Sequence, residues 1–421
     1  MEGNVQMKKE HYRMIIAGML LMLGLGFPIN GMGVFTVPVT RELGFTVAQF
    51  SIVSSCLSLI GIVSIPVLSK IMIPKIGLRK TAFIGGITGI LGFIWLANST
   101  SIWSFYLAAS LIGLMLMVST TMVAVPLINN WFHKKHGTVM GIVAATMGLS
   151  GVIVNAVVPS FVENNGFRGG YYLMAVFYGV AVLGGALLLR DKPEDLGTTA
   201  YGSEGTTIKE PNAAVTSNES TESVDSGMSY AEALRSPIFY LTAIAFISFT
   251  MVGTFTQQLQ VFLVSTGIDI VQVGAMMSVA SIAMIIAKIG MGSVSDRIGS
   301  ISTYVGLIAI FTAAFVIFFS TSSPIILFIG LLMYYMCAGT PNVMHQLIAL
   351  DLFGKKEFTA IWGLLAIAAN IGLAIGNPIL GLLYDLTGTY QLTIIVCIAL
   401  MIITLVTFFL ATHSKKSAPV R

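Results

Sequence analysis

Residues 281–300 read SIAMIIAKIGMGSVSDRIGS. An apolar run holds a single charge, Lys288, and ends in the pair Asp296-Arg297. Apolar runs of this kind recur along a chain of 421 residues that is 56% hydrophobic and only 10% charged, with a mean hydropathy of +0.89. Soluble domains average about 25% charged residues. About 20 apolar residues cross a bilayer as a helix, against about 10 for a barrel strand. These runs have helix length and no strand-like alternation. A helix also satisfies its own backbone hydrogen bonds in lipid. The sequence therefore reads as an all-α membrane protein.

Twelve spans are expected, at 14–36, 47–70, 80–97, 102–130, 138–160, 169–190, 237–265, 271–293, 301–320, 323–350, 358–384 and 389–412. The first is read as a retained span and not a cleaved signal peptide, because eleven more follow it without a small-residue cleavage site. With the N-terminus in the cytoplasm, 19 of the 22 Lys and Arg residues fall on the inner side, Arg41 and Arg168 fall outside, and Lys288 lies within a span. That bias is the positive-inside signal and puts both termini in the cytoplasm of a plasma-membrane protein. The net charge of +4 then reflects topology beside anionic lipid headgroups, not nucleic-acid binding. Cys56, Cys337 and Cys397 lie in separate spans and form neither a disulfide framework nor a metal motif.

The chain also reads as duplicated. LGFTVAQ (43–49) parallels TGIDIVQ (266–272). PKIG (74–77) parallels DRIG (296–299). FHKKHGTVMG (132–141) parallels FGKKEFTAIWG (353–363). Each pair falls at the same place in its half and at nearly one offset. The expected domains are a tail (1–13), a six-helix half (14–190), a polar cytoplasmic linker (191–236), a second six-helix half (237–412) and a tail (413–421). Parallel six-helix repeats are a known transporter design, with the substrate held near the midplane between the halves.

At these loops the chain resembles a family. GSVSDRIG (292–299) is similar to the loop signature of the major facilitator superfamily. GVFTVPVTRELGFTVAQFS (33–51), NWFHKKHGTVMGI (130–142), NGFRGGYYL (165–173), RDKPEDLG (190–197) and YAEALRSPIFY (230–240) resemble its monocarboxylate porter and oxalate–formate antiporter branch. The resemblance implies the major facilitator fold, alternating access and a small carboxylate as substrate. The first-half loop, SKIMIPKIGLRK (69–80), lacks the Asp-Arg pair, and spans 1 and 11 carry no lysine. The branch often has a basic residue at the position of Lys288 and a histidine at that of Gln258.

Lys288 bears on function directly. Ionisable groups within spans mark substrate pathways, and no Asp or Glu lies deep in any span to pair with it. An unpaired buried cation is costly unless a ligand supplies the anion. The competing reading is a lysine that snorkels along its aliphatic stem to the headgroups. Further candidate substrate contacts are Gln257, Gln258, Asn30, Tyr334, His345 and Asn370, with His345 a candidate proton carrier. Asp296 and Arg297 are candidate gating residues at a cytoplasmic helix end. Each polar residue is also open to the simpler reading of an interhelical hydrogen bond.

The expected function is transport of a small organic anion, with exchange ahead of proton symport, by a monomer needing no cofactor. A drug or sugar carrier with Lys288 structural is the alternative in transport, and a receptor or sensor on a transporter fold is the alternative outside it. No phosphate loop points to ATP as energy source, and no catalytic motif points to an enzyme. The topology has a direct check. A cysteine inserted in the 191–236 linker should resist impermeant thiol reagents in intact cells and react once the membrane is opened. Reaction in intact cells would contradict the twelve-span topology.

Overall fold

A computed structural model describes residues 7–202, 227–354 and 356–417. Among the described residues the secondary structure is helical, with two isolated backbone bridges, Phe132 with Tyr201 and Gly227 with Gly354. Among the described residues nine helical segments are long and apolar enough to cross a membrane, or ten when a bent pair counts as one. The expected twelve are reached when His136–Leu188 is divided in two and the shorter apolar stretch Val47–Gly61, continuous with Met72–Asn98 in one long helix, is taken as span 2. Val47–Asn98 breaks at Gly77, and His136–Leu188 breaks at Gly166.

Both breaks reverse the chain. Span 1 comprises Lys9–Gly31, Met32–Phe35 and Thr36–Leu43. Along it, Gly18 meets Val143 and Gly26 meets Ser150, while Gly31 meets Met174, Gly24 meets Val182 and Gly185 meets Ala17. Span 5, before Gly166, thus runs parallel to span 1, and span 6, after it, runs antiparallel. Gly77 similarly separates spans 2 and 3. Span 4 is Ile102–Ser119 continued by Thr121–Trp131. Leu57 packs on Gly113 going down it, and Gly85 on Ser119 and Gly92 on Ile112 coming back.

The second half repeats this plan. Span 7 is Pro237–Gly253, Thr254–Gln257 and Leu259–Ser265, and span 8 is Ile270–Ile298. Span 9 is Ser300–Ser320, and span 10 is Pro324–Ala338 and Pro341–Phe353. Span 11 is Phe358–Thr387 and span 12 is Gln391–Ser417. Gly44, Gly77 and Gly166 have positive φ, and so do their counterparts Gly267, Gly299 and Gly388. Spans 1 and 7 each change to a 3₁₀ turn at the same register, Met32–Phe35 and Thr254–Gln257. Spans 4 and 10 break at Thr120 and Thr340, whose hydroxyls donate to Leu116 O and Cys337 O of the preceding turn. The repeat is thus written in backbone conformation as well as in the three sequence matches.

Each half buries its own core. One cluster of buried apolar side chains draws only on residues 14–201, and the other on residues 233–411 together with Val47. The linker ends dock on equivalent loops of the two halves. Tyr201 N–H donates to Trp131 O at 2.9 Å, and Met228 N–H to Phe353 O at 2.8 Å. The first-half loop without an Asp-Arg pair is capped from elsewhere. Asp191 accepts from Leu78 N–H at 2.9 Å and Arg79 N–H at 3.0 Å, at the start of span 3.

Gly166 adopts φ 69° and ψ 173°, a region open essentially to glycine alone. A Cβ there would meet nothing within 4 Å, so the strain is purely of the backbone. Gly166→Ala should lower stability by about 1–3 kcal/mol. Gly306→Ala, in open space within span 9, should be neutral or stabilising by up to about 1 kcal/mol. Thermal unfolding in detergent compares them. Equal effects would show that span 5 does not need this turn.

Candidate functional site

With twelve spans, both termini lie on one face of the membrane, here the terminal face. The opposite face carries the turns at Gly44, Gly166, Gly267 and Gly388 and is the far face. The halves are joined toward the far face, and three span pairs build the seal. Asp385, at the end of span 11, accepts from Val47 N–H at 3.0 Å and Ala48 N–H at 2.6 Å, where span 2 begins. A carboxylate at a helix N-terminus is favoured twice, by unsatisfied N–H donors and by the helix dipole. Lower on the same pair, Asn377 Nδ2 donates to Ser51 O at 3.2 Å and Ser55 Oγ to Ala374 O at 2.8 Å. Between spans 7 and 1, Gln257 Nε2 donates to Ile29 O at 2.9 Å. Between spans 8 and 5, Ser278 Oγ donates to Val152 O at 3.0 Å, and Asn155 Nδ2 donates to Ser281 Oγ at 3.3 Å.

The last pair locates Lys288. Gly274, Ser278, Ser281 and Ile285 lie on one stripe of span 8 and meet Pro159, Val152, Asn155 and Gly148 of span 5. The next residue on that stripe, by helical spacing, is Lys288. It is the first position past the seal toward the terminal face. On the facing stripe of span 5, Ala144 and Gly141 are exposed, and a Cβ at Gly141 would meet nothing within 4 Å. Among the described residues no hydrogen bond joins the halves on that side. The conformation is closed at the far face and parted below Lys288.

Lys288 is half-buried and makes no ion pair or hydrogen bond among the described residues. Its stem lies against span 10, where a Cβ at Gly339 would come 2.9 Å from Lys288 Cε and also clash with Met284. Gly339 sits at the break between the two helices of that span. The missing Cβ makes room for the lysine stem.

Directly above Lys288 is a polar cluster. Asn30 Nδ2 donates to Ser150 Oγ at 2.8 Å and Met147 O at 3.3 Å. A Cβ at Gly151 would lie 3.1 Å from Ser281 Oγ and 3.5 Å from Asn30 Cγ, so these side chains flank one point. The Tyr335 hydroxyl sits beside Asn155 and Ser281. Spans 1, 5, 8 and 10 thus converge on a buried polar group that mixes both halves.

Of the residues singled out in the sequence, the structure brings Lys288, Asn30 and Gln257 to this region. Gln258 is buried and donates to Asn377 O at 2.9 Å within the second half. Tyr334 is enclosed by Phe255, Phe311 and Phe315, and its hydroxyl donates to Gly253 O at 2.9 Å, bracing the break of span 7. His345 stacks on Phe246 with ring centroids 3.8 Å apart, meets the Phe249 and Tyr304 rings edge-on, and has its Nε2 3.2 Å from the Tyr304 hydroxyl. It is packed inside the second half, away from the seal. Asn370 donates to Ala366 O of its own helix at 2.9 Å. Asp296 and Arg297 are exposed at the end of span 8. Sequence reasoning missed Asn155, Ser150, Tyr335 and Asp385. An amide within the run GVIVNAVVP (151–159) was the available signal for Asn155. Asp385 gave none, because its partners are backbone groups of the other half.

Two packed helical halves with broken spans around a polar centre define a membrane carrier. The sequence model described as Major Facilitator Superfamily matches residues 14–269 and again 241–421, and the chain belongs to that superfamily of transporters. The fold agrees with solved structures. One is a bacterial homologue of the human lysosomal transporter Spinster, inward-facing and unoccupied, with a TM-score of 0.70 and 12% identity over 99% of this chain and 100% of that one. Another is the nucleoside transporter NupG, with a TM-score of 0.71 and 14% identity over 97% and 99%. A comparison with curated proteins finds no match.

The far-face clasp is testable. Hydrogen bonds to a charged group contribute about 1.5–3 kcal/mol, so Asp385→Ala should shift the conformational equilibrium roughly tenfold or more toward far-face opening. A cysteine at Ser55, in a background without the three native ones, should then react correspondingly faster with an impermeant reagent from the far face. An unchanged rate would show that Asp385 does not hold the seal.

Proposed function

We propose that this transporter carries a small organic anion, a mono- or dicarboxylate, by alternating access, with Lys288 pairing with its carboxylate. The observation that carries the reading is the position of Lys288. An ammonium is held among membrane-spanning helices, one step past the far-face seal, with no anion among the described residues to meet it. Such a group is costly alone and favourable with an anionic ligand. Lysine is a flexible point charge and not a rigid fork, which suits a small acid presented in more than one pose.

Asn30 and Gln257 line the approach from spans 1 and 7. Asp296 and Arg297 act at the terminal-face gate, where the halves must meet when the far face opens. Exchange is favoured over proton symport. The acidic residues lie at span ends, and His345 is surrounded by Phe246, Phe249 and Tyr304. Neither arrangement supplies a proton carrier beside Lys288. The protein works as a monomer in the plasma membrane with its termini in the cytoplasm.

Uptake of labelled carboxylates into proteoliposomes tests the reading. Lys288→Ala should reduce carboxylate transport by about 10–100-fold, the loss expected for one charge-assisted hydrogen bond. Lys288→Arg should keep partial activity. Counterflow should proceed without a pH gradient. Normal transport of the same acid by Lys288→Ala would leave the lysine structural and favour a neutral substrate. Uptake that requires an inward proton gradient would replace exchange by symport.

A further inference from the structure

On the terminal face of the first half, basic side chains stand without ion pairs at the head of a seam that faces lipid. Spans 3 and 6 form this seam. Gly86 packs on Leu183 and Gly179 on Ile90, and at the far end Asn98 Nδ2 donates to the Tyr172 hydroxyl at 2.9 Å. The hydrogen bonds that join the two halves come from spans 1, 2, 5, 7, 8 and 11, so spans 3 and 6 lie at the periphery of the fold. Their outward stripes are apolar and exposed, with Ile84 and Ile87 on span 3 and Val180 and Leu187 on span 6.

Three cations head these stripes. Lys80 precedes Ile84 and Ile87 at helical spacing, and Arg190 follows Leu187 in the same way. Arg79 bridges the seam itself, its Nε donating to Ala186 O at 3.2 Å. Arg190 is folded over the end of span 6, with Nη1 donating to Leu189 O at 2.8 Å and to Leu187 O at 3.3 Å. The other guanidinium donors of both arginines make no bond among the described residues. Arg13 adds a further positive charge from span 1. Its neighbour Met14 accepts from Arg190 N–H at 3.4 Å, and Arg190 lies within electrostatic reach of both Arg13 and Arg79. The carboxylates beside this group are occupied. Asp191 accepts from Leu78 N–H and Arg79 N–H, and Asp195 accepts from Lys192 N–H at 3.1 Å. Neither forms an ion pair with these cations among the described residues. Like charges gathered in this way oppose one another, and one anion relieves them together.

We propose that this end of the seam binds one anionic phospholipid of the adjoining leaflet, with its phosphate against Arg79, Lys80 and Arg190 and its acyl chains along the exposed stripes of spans 3 and 6. Basic groups between spans at a membrane boundary are suited to lipid headgroups. A guanidinium presents planar pairs of donors that match phosphate oxygens. A free phosphate would meet the cations and leave the apolar stripes without a partner. A zwitterionic lipid would bring another cation among those already gathered. An anionic lipid satisfies the charged head and the apolar seam at once. The site stands apart from Lys288 and does not depend on the substrate.

The purified full-length protein in detergent is titrated with phosphatidylglycerol and with phosphatidylcholine of the same chains, and bound lipid is read by native mass spectrometry. Phosphatidylglycerol should bind more tightly by about fivefold or more, since each basic residue contributes about that factor. Lys80→Gln, at an exposed position, should lower the affinity for phosphatidylglycerol about fivefold, and Arg79→Gln combined with Arg190→Gln about 25-fold. Arg235→Gln, which removes an exposed cation from the terminal face of the second half, should leave it unchanged. Glycerol 3-phosphate in large excess should not displace the lipid. Equal binding of the two lipids by the wild-type protein would overturn the proposal. So would an affinity that Lys80→Gln leaves unchanged, or an equal loss in Arg235→Gln, which would mark a diffuse effect of charge. Displacement by glycerol 3-phosphate would make this a site for free phosphate esters and overturn the lipid assignment. Lys80→Gln decides the matter if the double variant fails to fold.

Discussion

A cation inside a membrane-spanning helix, without a counter-charge among the described residues, is the constraint on which the functional account depends. Lys288 could escape by snorkelling if its stem ran toward the terminal face. Instead the stem lies against Gly339 at the break of span 10, in space that any larger residue would fill. The same stripe of span 8 supplies two of the hydrogen bonds that close the far face. The lysine is thus placed by the packing that seals the carrier. A ligand drawn to it would lie against the seal, and this is how binding can influence opening. A ligand shifts such an equilibrium only by its differential affinity for the two states.

The seal is not symmetric, although the fold is. Thr46 and Asp269 are counterparts. Thr46 accepts from Gln49 N–H, and Asp269 from Val271 N–H and Gln272 N–H, so each caps the helix that follows it. Only span 2 receives an additional carboxylate from the other half, Asp385. The corresponding position in the first half, Glu163, is exposed. On the terminal face the balance is reversed. The first-half loop lacks the Asp-Arg pair, and Asp191 caps span 3 within its own half. The first difference adds bonds across the far face, and the second adds none across the terminal face. They bias the carrier toward the far-face-closed conformation seen here.

The fold was largely legible in the sequence. Span length, the scarcity of charge and the loop matches around 44, 77 and 135 follow from the physics of lipid burial and from duplication, and both act locally along the chain. The joining of spans 2 and 3, and of 5 and 6, into continuous helical tracts was not visible, because single glycines at 77 and 166 turn the chain with no loop to mark it. The site was legible only in part. Lys288 stood out because a charge in an apolar run is conspicuous. Asn155 and Tyr335 did not, since one amide or phenol in a span serves packing as readily as recognition. Tyr334 and Tyr335 are adjacent, and only the helix rotation decides which faces the seal and which the aromatic core. Gln257 and Gln258 divide in the same way, one bridging to span 1 and the other holding span 11.

The central claim is that the ammonium of Lys288 meets an organic carboxylate in the open side of the carrier. Its chemical reactivity reports on this without reference to turnover. A small neutral amine-reactive reagent is applied to the purified protein, and modification of the peptide containing Lys288 is followed by mass spectrometry. The account predicts that modification is slowed by a saturating small carboxylate and unaffected by the corresponding neutral amide. A rate that ignores the carboxylate, or that the amide slows equally, would contradict it.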